Sequence, residues 1–254
     1  MTEVPVRPAA TVVLLRDGAV GLDVWLLTRA TQMVFAAGMA VFPGGRVDSA
    51  DAELPFVPGS DEPAAARFGC EPDQARALVG AAVREVFEET GVLLTAPVAD
   101  LSGARADVEA GTVSFGDLLR SHDLAVDGAA VRPWSRWVTP PGEVRRYDTR
   151  FFVAAVPDGE EARDVTTESS SAGWFGVGEV LEAAQRGEVG MLPPTIMTLA
   201  SLVPYGTVAE VLDAAGQRSL EPIAPSVERN DAGDFLAKLP DGTAFVLPRS
   251  LFPA

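Results

Sequence analysis

Three glutamates, Glu85, Glu88 and Glu89, stand at i, i+3 and i+4 in the run Arg84-Glu85-Val86-Phe87-Glu88-Glu89-Thr90-Gly91-Val92. On an α-helix this spacing puts all three carboxylates on one face. Like-charge pairs so placed oppose the helix by roughly 0.2–0.5 kcal/mol each, so the cluster calls for counter-charge. Arg84 supplies part of it through its i+4 partner, Glu88. A hard divalent cation, which takes oxygen ligands, is the natural source of the rest. A cation held in this way can activate water and offset charge on a phosphate. The opposite face, with Val79, Val83 and Val86, is apolar and can pack on a sheet. The alternative is a solvated acidic face on a structural domain, which predicts no effect of Mg²⁺ on thermal stability.

The elements around this run can be read from periodicity and turn signals. Apolar residues recur at Ala75, Leu78, Val79, Ala82, Val83 and Val86, which predicts a helix over Pro72 to Thr90. Pro72 suits its first turn and Gly91 its stop. Thr11 to Arg16 and Leu22 to Arg29 read as a hairpin about Asp17-Gly18, and Gly38 to Phe42 as a short strand stopped by Pro43-Gly44-Gly45. Val47 to about Pro72 shows no clear period and reads as an insertion or long loop. Val92 to Leu94, Trp134 to Val138, Thr149 to Val156 and Ala172 to Val177 read as strands. Ser114 to Ser121, Glu179 to Arg186 and Pro193 to about Val203 read as helices. Thr207 and Glu210 form a capping box for a further helix ending at Gly216. Asp234 to Phe252 reads as a hairpin around Asp241-Gly242. The alternation of elements predicts an α/β (α+β) fold, a mixed sheet with helices on both sides. The 254 residues read as one domain, with a core over about 10–190, an insertion over about 52–76 and a C-terminal helical extension and hairpin over about 191–254.

Composition narrows the function classes. Hydrophobic residues make up 47 % of the chain, enough for a sizeable core. Met1 to Ala10 lacks the apolar segment of a secretory signal. No apolar run approaches the roughly 18 residues that a membrane helix needs, so no membrane association is expected. One cysteine, Cys70, excludes an internal disulfide and fits a reducing, cytoplasmic setting. With His122 the only histidine, a zinc site of the Cys/His kind is close to excluded. The net charge of −16 argues against nucleic-acid partners. It leaves room for a phosphorylated small molecule, because bound metal inverts the local field. A homodimer is allowed. No Walker A string and no G-x-S-x-G elbow is present. His122 reads as a surface or capping residue and Cys70 as a packing residue.

The run Arg84 to Val92 matches the core of the Nudix box, REUxEExGU with U aliphatic, at every fixed position. At average residue usage a chance match in a chain of this length is on the order of one in 10⁵. The chain thus resembles the Nudix hydrolase family. The usual box opens at a glycine, followed by an acid and then the Arg. Counted back from Arg84, those slots hold Cys70 and Arg76, so the compact form is absent. Counted forward from Gly45, the acid slot holds Asp51, and Phe42-Pro43-Gly44-Gly45 is the strand-to-loop entry typical of the family. The box therefore looks split by an insertion of about 25 residues, Ala52 to Arg76. That pattern, with Trp137-Val138-Thr139-Pro140 and Arg146 to Phe152, resembles the branch related to a peroxisomal coenzyme A diphosphatase, over roughly residues 10–200. The upstream motif of the coenzyme A enzymes is met at Leu26, Leu27, Thr28 and Gly38, while its Arg slot holds Val34.

The resemblance implies a Nudix-type α/β/α sandwich and hydrolysis of a diphosphate bond in a nucleoside diphosphate linked to another moiety. Glu85, Glu88 and Glu89 are expected to hold Mg²⁺ or Mn²⁺, with a carbonyl of Gly44 or Gly45 as a further ligand. Glycine lets backbone approach a ligand closely. Glu168 resembles the loop glutamate that many members add as a metal ligand or base, and Glu160, Glu161 and Asp164 compete for that role. The general base is either a box glutamate or Glu168. Arg84 is expected to orient the carboxylates. Gly44, Arg46 and Arg146 are the candidates to meet substrate phosphate, although either arginine could equally be a surface charge. Two narrower readings stand beside this one: a coenzyme A or acyl-coenzyme A diphosphatase, and a non-catalytic, nucleotide-binding Nudix regulator. The intact box argues against the second, because binding alone does not need three chelating carboxylates.

Overall fold

The computed structural model describes residues 4–29, 38–164, 169–230 and 235–246. Its strands are β1 (Val6–Asp17), β2 (Leu22–Arg29), β3 (Met39–Val41), β4 (Gly44–Arg46), β5 (Thr95–Ala96), β6 (Ala125–Val126), β7 (Arg132–Val138), β8 (Arg146–Ala155), β9 (Ser169–Gly176), β10 (Gly190–Met191), β11 (Pro222–Ile223), β12 (Ser226–Arg229), β13 (Phe235–Lys238) and β14 (Ala244–Val246). Its α-helices are α1 (Glu62–Phe68), α2 (Pro72–Thr90), α3 (Arg105–Glu109), α4 (Phe115–Ser121), α5 (Val177–Gln185), α6 (Pro193–Leu202) and α7 (Val208–Ala215). Among the described residues, nine strands make one mixed sheet, ordered β10-β3-β2-β1-β8-β7-β11, with β4 also on β1 and β9 also on β2. β1 runs antiparallel to β2 and parallel to β8, the latter in register from Val6↔Arg146 to Leu15↔Ala155.

β1 reads as an unbroken apolar run because helices cover both faces of the sheet. Val12 and Leu14 join Leu78, Val79, Val83, Val86 and Phe87 of α2 in one core. Val13 and Leu15 point the other way, into a second core with Val180 of α5, Leu199 of α6 and Val211 of α7. The outcome is the expected α/β/α sandwich. The capping box of α7 is present, with the Thr207 side chain and Glu210 each bonded to the other's backbone N–H. His122 ends α4, its Nδ1 3.0 Å from the Leu118 carbonyl oxygen. No described helix is long and apolar enough to cross a membrane.

Four local expectations change. Residues 49–53 form a 3-10 helix and residues 62–68 form α1, so the stretch expected as loop is ordered. α1 is amphipathic over only two turns, too few for a period to show. It buries Ala64 and Phe68, and the Phe68 ring meets Phe152 edge-on at 5.6 Å between centroids. Gly44–Arg46 pairs with β1 where a plain stop was expected. Val92 to Leu94 is buried but forms no strand. The helix ends at Gly91 (φ 78°), and the Val92 N–H turns back onto Thr90 Oγ1 at 3.1 Å instead of entering a ladder. The C-terminal hairpin exists as β13 and β14 but is joined by β12 into a three-stranded sheet. Its expected end, residues 247–252, lies outside the described residues, as do Val34 and Glu168.

Candidate active site

α2 positions the acids. Its buried face, Ala75, Leu78, Val79, Ala82, Val83 and Val86, is sealed against the sheet, which turns the last two turns of glutamates outward. Opposite them lies β4, fixed on β1 through the pairs Ala9↔Arg46 and Ala10↔Gly45 and flanked by the bonds Val12 N–H to Pro43 O (2.8 Å) and Val47 N–H to Pro8 O (3.2 Å). The two elements touch directly through Glu85 and Glu89. The Gly44 N–H donates to Glu89 Oε2 at 2.9 Å. A Cβ on Gly45 would overlap the Glu85 carboxylate, so this close approach needs glycine. Glu88 reaches the same cluster through Arg84.

Arg84 sits at the centre. Its Nη1 donates to Glu85 Oε1 at 2.9 Å and to Glu88 Oε2 at 3.2 Å, and its Nη2 donates to the Arg46 carbonyl at 3.0 Å. The other edge of the guanidinium meets Asp51 as a two-bond fork, Nε to Oδ1 at 2.8 Å and Nη2 to Oδ2 at 3.1 Å. Asp51 is 1 % exposed and also accepts the Asp48 N–H at 2.8 Å. One fork serving several acids in this way is arginine's geometry and not lysine's. Burial lowers the Arg84 pKa, but the Asp51 hydrogen bond and the charges of Glu85, Asp51 and Glu88 outweigh it and raise the value.

The acids outnumber the cation. Burial pushes Glu85 up; Arg84 offsets part of that, and Asp51 and Asp48 add to the rise. Burial likewise pushes Glu88 up, to about 7, against the pull of Arg84 and with a contribution from the charge of Glu85. Carboxylates held this high are short of positive charge, and an all-oxygen donor set suits a hard divalent ion. Arg84 now fills the space between Glu85 and Glu88. Accordingly, no three His, Cys, Asp or Glu side chains among the described residues are drawn into a ready metal cage. Glu85, Glu88 and Glu89 are the residues that could hold a cation once their side chains rotate away from these partners.

The sequence brought together Glu85, Glu88, Glu89, Arg84, Gly44, Gly45 and Asp51, and the structure groups all of them. Arg46 belongs to the cluster through its backbone, while its side chain is exposed and lines a neighbouring cavity. Arg146 lies on that cavity and not among the glutamates. It is buried, and its Nε donates to Thr139 O at 3.2 Å. Two supports were not foreseen. Arg105, 9 % exposed, donates to the Glu88 carbonyl at 2.9 Å and to Glu109 at 2.7 Å, closing the C-terminal end of α2. Gly80 lets the 3-10 helix approach, since a Cβ there would overlap the Asp51 carbonyl oxygen. A glycine inside an otherwise good helix is the signal that could have found it.

Comparison with known proteins follows the same outline. A family model described as the NUDT19 Nudix domain matches residues 72–202, just over half of the chain, beginning at the first residue of α2. The chain is 33 % identical over 187 residues to a putative nudix hydrolase 7 of Caenorhabditis elegans, covering 70 % of this chain and 55 % of that protein. It is 26 % identical over 249 residues to the human acyl-coenzyme A diphosphatase NUDT19, covering 80 % and 66 % respectively. The chain thus spans between half and two-thirds of the length of these curated relatives. A crystal structure of a NUDIX hydrolase from Alicyclobacillus acidocaldarius superposes with a TM-score of 0.71 at 31 % identity, over 86 % of this chain and 99 % of that one.

Proposed function

Because the chain belongs to the Nudix hydrolase family, we propose that it is a divalent-metal-dependent hydrolase that cleaves the diphosphate bond of a nucleoside diphosphate linked to another moiety. The observation that carries this reading is the convergence of Glu85, Glu89 and, through Arg84, Glu88 on the strand Gly44–Arg46.

Glu85, Glu88 and Glu89 would hold Mg²⁺ or Mn²⁺. The ion supplies charge neutralisation on the phosphates and a lowered pKa for the attacking water. The chain's own residues do the remainder. Asp51 locks the Arg84 fork, and Arg84 supplies the counter-charge that keeps Glu85 and Glu88 together on one face of α2 until an ion takes its place. β4 brings backbone without side chains against the glutamates, leaving room for a diphosphate. A glutamate of the box or Glu168 would take the proton from the attacking water. Arg46 and Arg146 would meet substrate phosphate.

Within this reading the substrate is coenzyme A or an acyl-coenzyme A. The family description and the NUDT19 relatives support that choice. The half-buried, single Cys70 supports a reducing compartment such as the cytoplasm. The test is product release from coenzyme A, ADP-ribose, NADH and dinucleoside polyphosphates, with Mg²⁺ and with Mn²⁺. Coenzyme A should be the best substrate, and Glu88→Gln with unchanged circular dichroism should lose most metal-dependent turnover. Full activity in that variant overturns the assignment.

A further inference from the structure

The acids of α2 sit where a helix is least able to hold them. Glu85, Glu88 and Glu89 occupy its last two turns, at the negative end of the helix dipole, where the final carbonyls lack partners within the helix. The residues that follow do not continue the ladder. Gly91 takes a positive φ of 78°, and its N–H donates to Phe87 O at 2.9 Å. The Val92 N–H goes to Thr90 Oγ1 at 3.1 Å, so the Glu88 carbonyl loses the i+4 donor that a longer helix would give it. Arg105, the first residue of α3, takes that place. Its Nη1 donates to Glu88 O at 2.9 Å and to Glu109 Oε2 at 2.7 Å. The Thr90 carbonyl is met from another loop, by the Arg163 backbone N–H at 2.9 Å. Of these two outside donors, Arg105 is the charged one, and its side chain is 11 % exposed, so water is a poor substitute for it. Val108 of the same short helix is buried in the core that holds Val86 and Phe87, which anchors α3 against the end of α2.

We propose that Arg105 is a positioning residue for the metal-dependent reaction: by capping the Glu88 carbonyl it keeps helical the turn from which Glu88 and Glu89 present their carboxylates together. The proposal rests on the diphosphatase reading and deepens it. The three acids share a face only while their backbone stays helical, since the i, i+3 and i+4 relation belongs to the coil. Repulsion among them and the sign of the dipole both favour fraying of that turn. A buried cation bonded to the terminal carbonyl opposes both. It acts through the backbone, so it does not compete with an ion for carboxylate oxygens. Arg84 differs, because its guanidinium lies on the Glu85 and Glu88 carboxylates themselves and must yield when an ion binds. Loss of Arg105 therefore lowers affinity for the ion, because a turn that has opened must close again before it can bind.

The experiment measures Mn²⁺ binding by electron paramagnetic resonance, without substrate, in the full chain and in Arg105→Met, Arg105→Lys, Glu88→Gln and Leu199→Ala. Arg105→Met keeps the side-chain stem and loses the charged donor. It should bind Mn²⁺ about tenfold more weakly, the low end of what outer partners of metal ligands contribute. Arg105→Lys, with one charged donor on a shorter arm, should lose only about threefold, and it decides the matter if Arg105→Met does not fold. Leu199→Ala opens the second core, across the sheet from α2, and should melt lower while binding Mn²⁺ as the parent does. Amide hydrogen exchange in EDTA gives a readout free of metal. A tenfold loss of affinity requires the turn to be open about nine-tenths of the time, so Glu88 to Gly91 should lose most of their protection in Arg105→Met while Leu78 to Ala82 keep theirs. Parental Mn²⁺ affinity in the folded Arg105 variants, a loss equalled by Leu199→Ala, or a loss without faster exchange overturns the proposal and leaves the diphosphatase reading standing. Mn²⁺ binding that is absent from the parent, or unchanged in Glu88→Gln, removes the diphosphatase reading and the proposal with it.

Discussion

Replacing Arg84 with Met keeps most of the side chain's volume and removes the one cation shared by Asp51, Glu85 and Glu88. Their side chains are 2 %, 14 % and 21 % exposed, and that of Arg84 is 13 % exposed, so water cannot replace what is lost. Removing one partner of a buried ion pair costs about 3–5 kcal/mol, because the remaining charges stay buried and unpaired. In a domain of this size each kcal/mol moves Tm by roughly 2–4 °C, so the variant should melt about 6–20 °C lower in EDTA. The sign of its pH dependence is also set. Acids whose folded pKa lies above the unfolded value bind more protons in the native state, so stability falls as pH rises through that interval. The deficit should therefore widen from pH 6 to pH 8, as the orphaned carboxylates ionise. Added Mg²⁺ should return part of it, since a ligand of the native state stabilises by RT ln(1 + [L]/Kd). Differential scanning calorimetry across pH, with EDTA and with Mg²⁺, reads all three effects. An Arg84→Met protein as stable as the parent in EDTA, with the same response to Mg²⁺, would refute the view that Arg84 is the counter-charge a metal ion must supplement.

Glu88, raised from an ordinary 4.5 to about 7, should make the metal-free protein lose stability between those pH values, and Glu88→Gln should flatten that part of a denaturation profile in EDTA; an unchanged slope would contradict the burial argument. Gly80→Ala should destabilise by about 1–2 kcal/mol in urea titrations, because displacing the Asp51 carbonyl outweighs the roughly 1 kcal/mol that alanine gains in a helix. A more stable Gly80→Ala variant would show that the approach is loose. At Asp148, burial raises the pKa, but the Arg136 hydrogen bond and the charges of Arg150 and Arg136 win and lower it. The stability it contributes is present above its unfolded pKa of about 3.9 and is lost as pH falls through the lower folded value. Asp148→Asn should thus narrow its gap to the parent on acidification below about pH 4, as followed by circular dichroism.

Much of the site was legible because its signals are local. The spacing of Glu85, Glu88 and Glu89 depends only on helix geometry, and the structure returns α2 with the bounds Pro72–Thr90 that the apolar period gave. Asp51 was found by counting from Gly45, not from Arg84, and the fork it forms with Arg84 across 33 residues is tertiary; spacing could flag the residue but not its partner. The arginines that line the neighbouring cavity come from residues 7, 46, 145 and 146, which no spacing along the sequence unites. α1 was missed because two turns carry too little period, and the strand expected at Val92 to Leu94 failed because burial produced its apolar run without pairing. The mixed sheet and its two helical layers were readable from element order. β12 was not, being four residues of mostly polar character that need β13 beside them.

The guanidinium of Arg67, on α1, donates to the carbonyls of Ala215, Gly216 and Arg218, at the far end of the chain sequence. This clasp makes two segments that look like separate elaborations into one brace. Clipping the chain after α6 would leave the Arg67 end of α1 without its anchor, and the stretch that leads from Asp51 to α2 would lose its outer support. Damage to the tail would then be felt at the glutamates from the opposite side of the sheet, with no residue of the site itself altered.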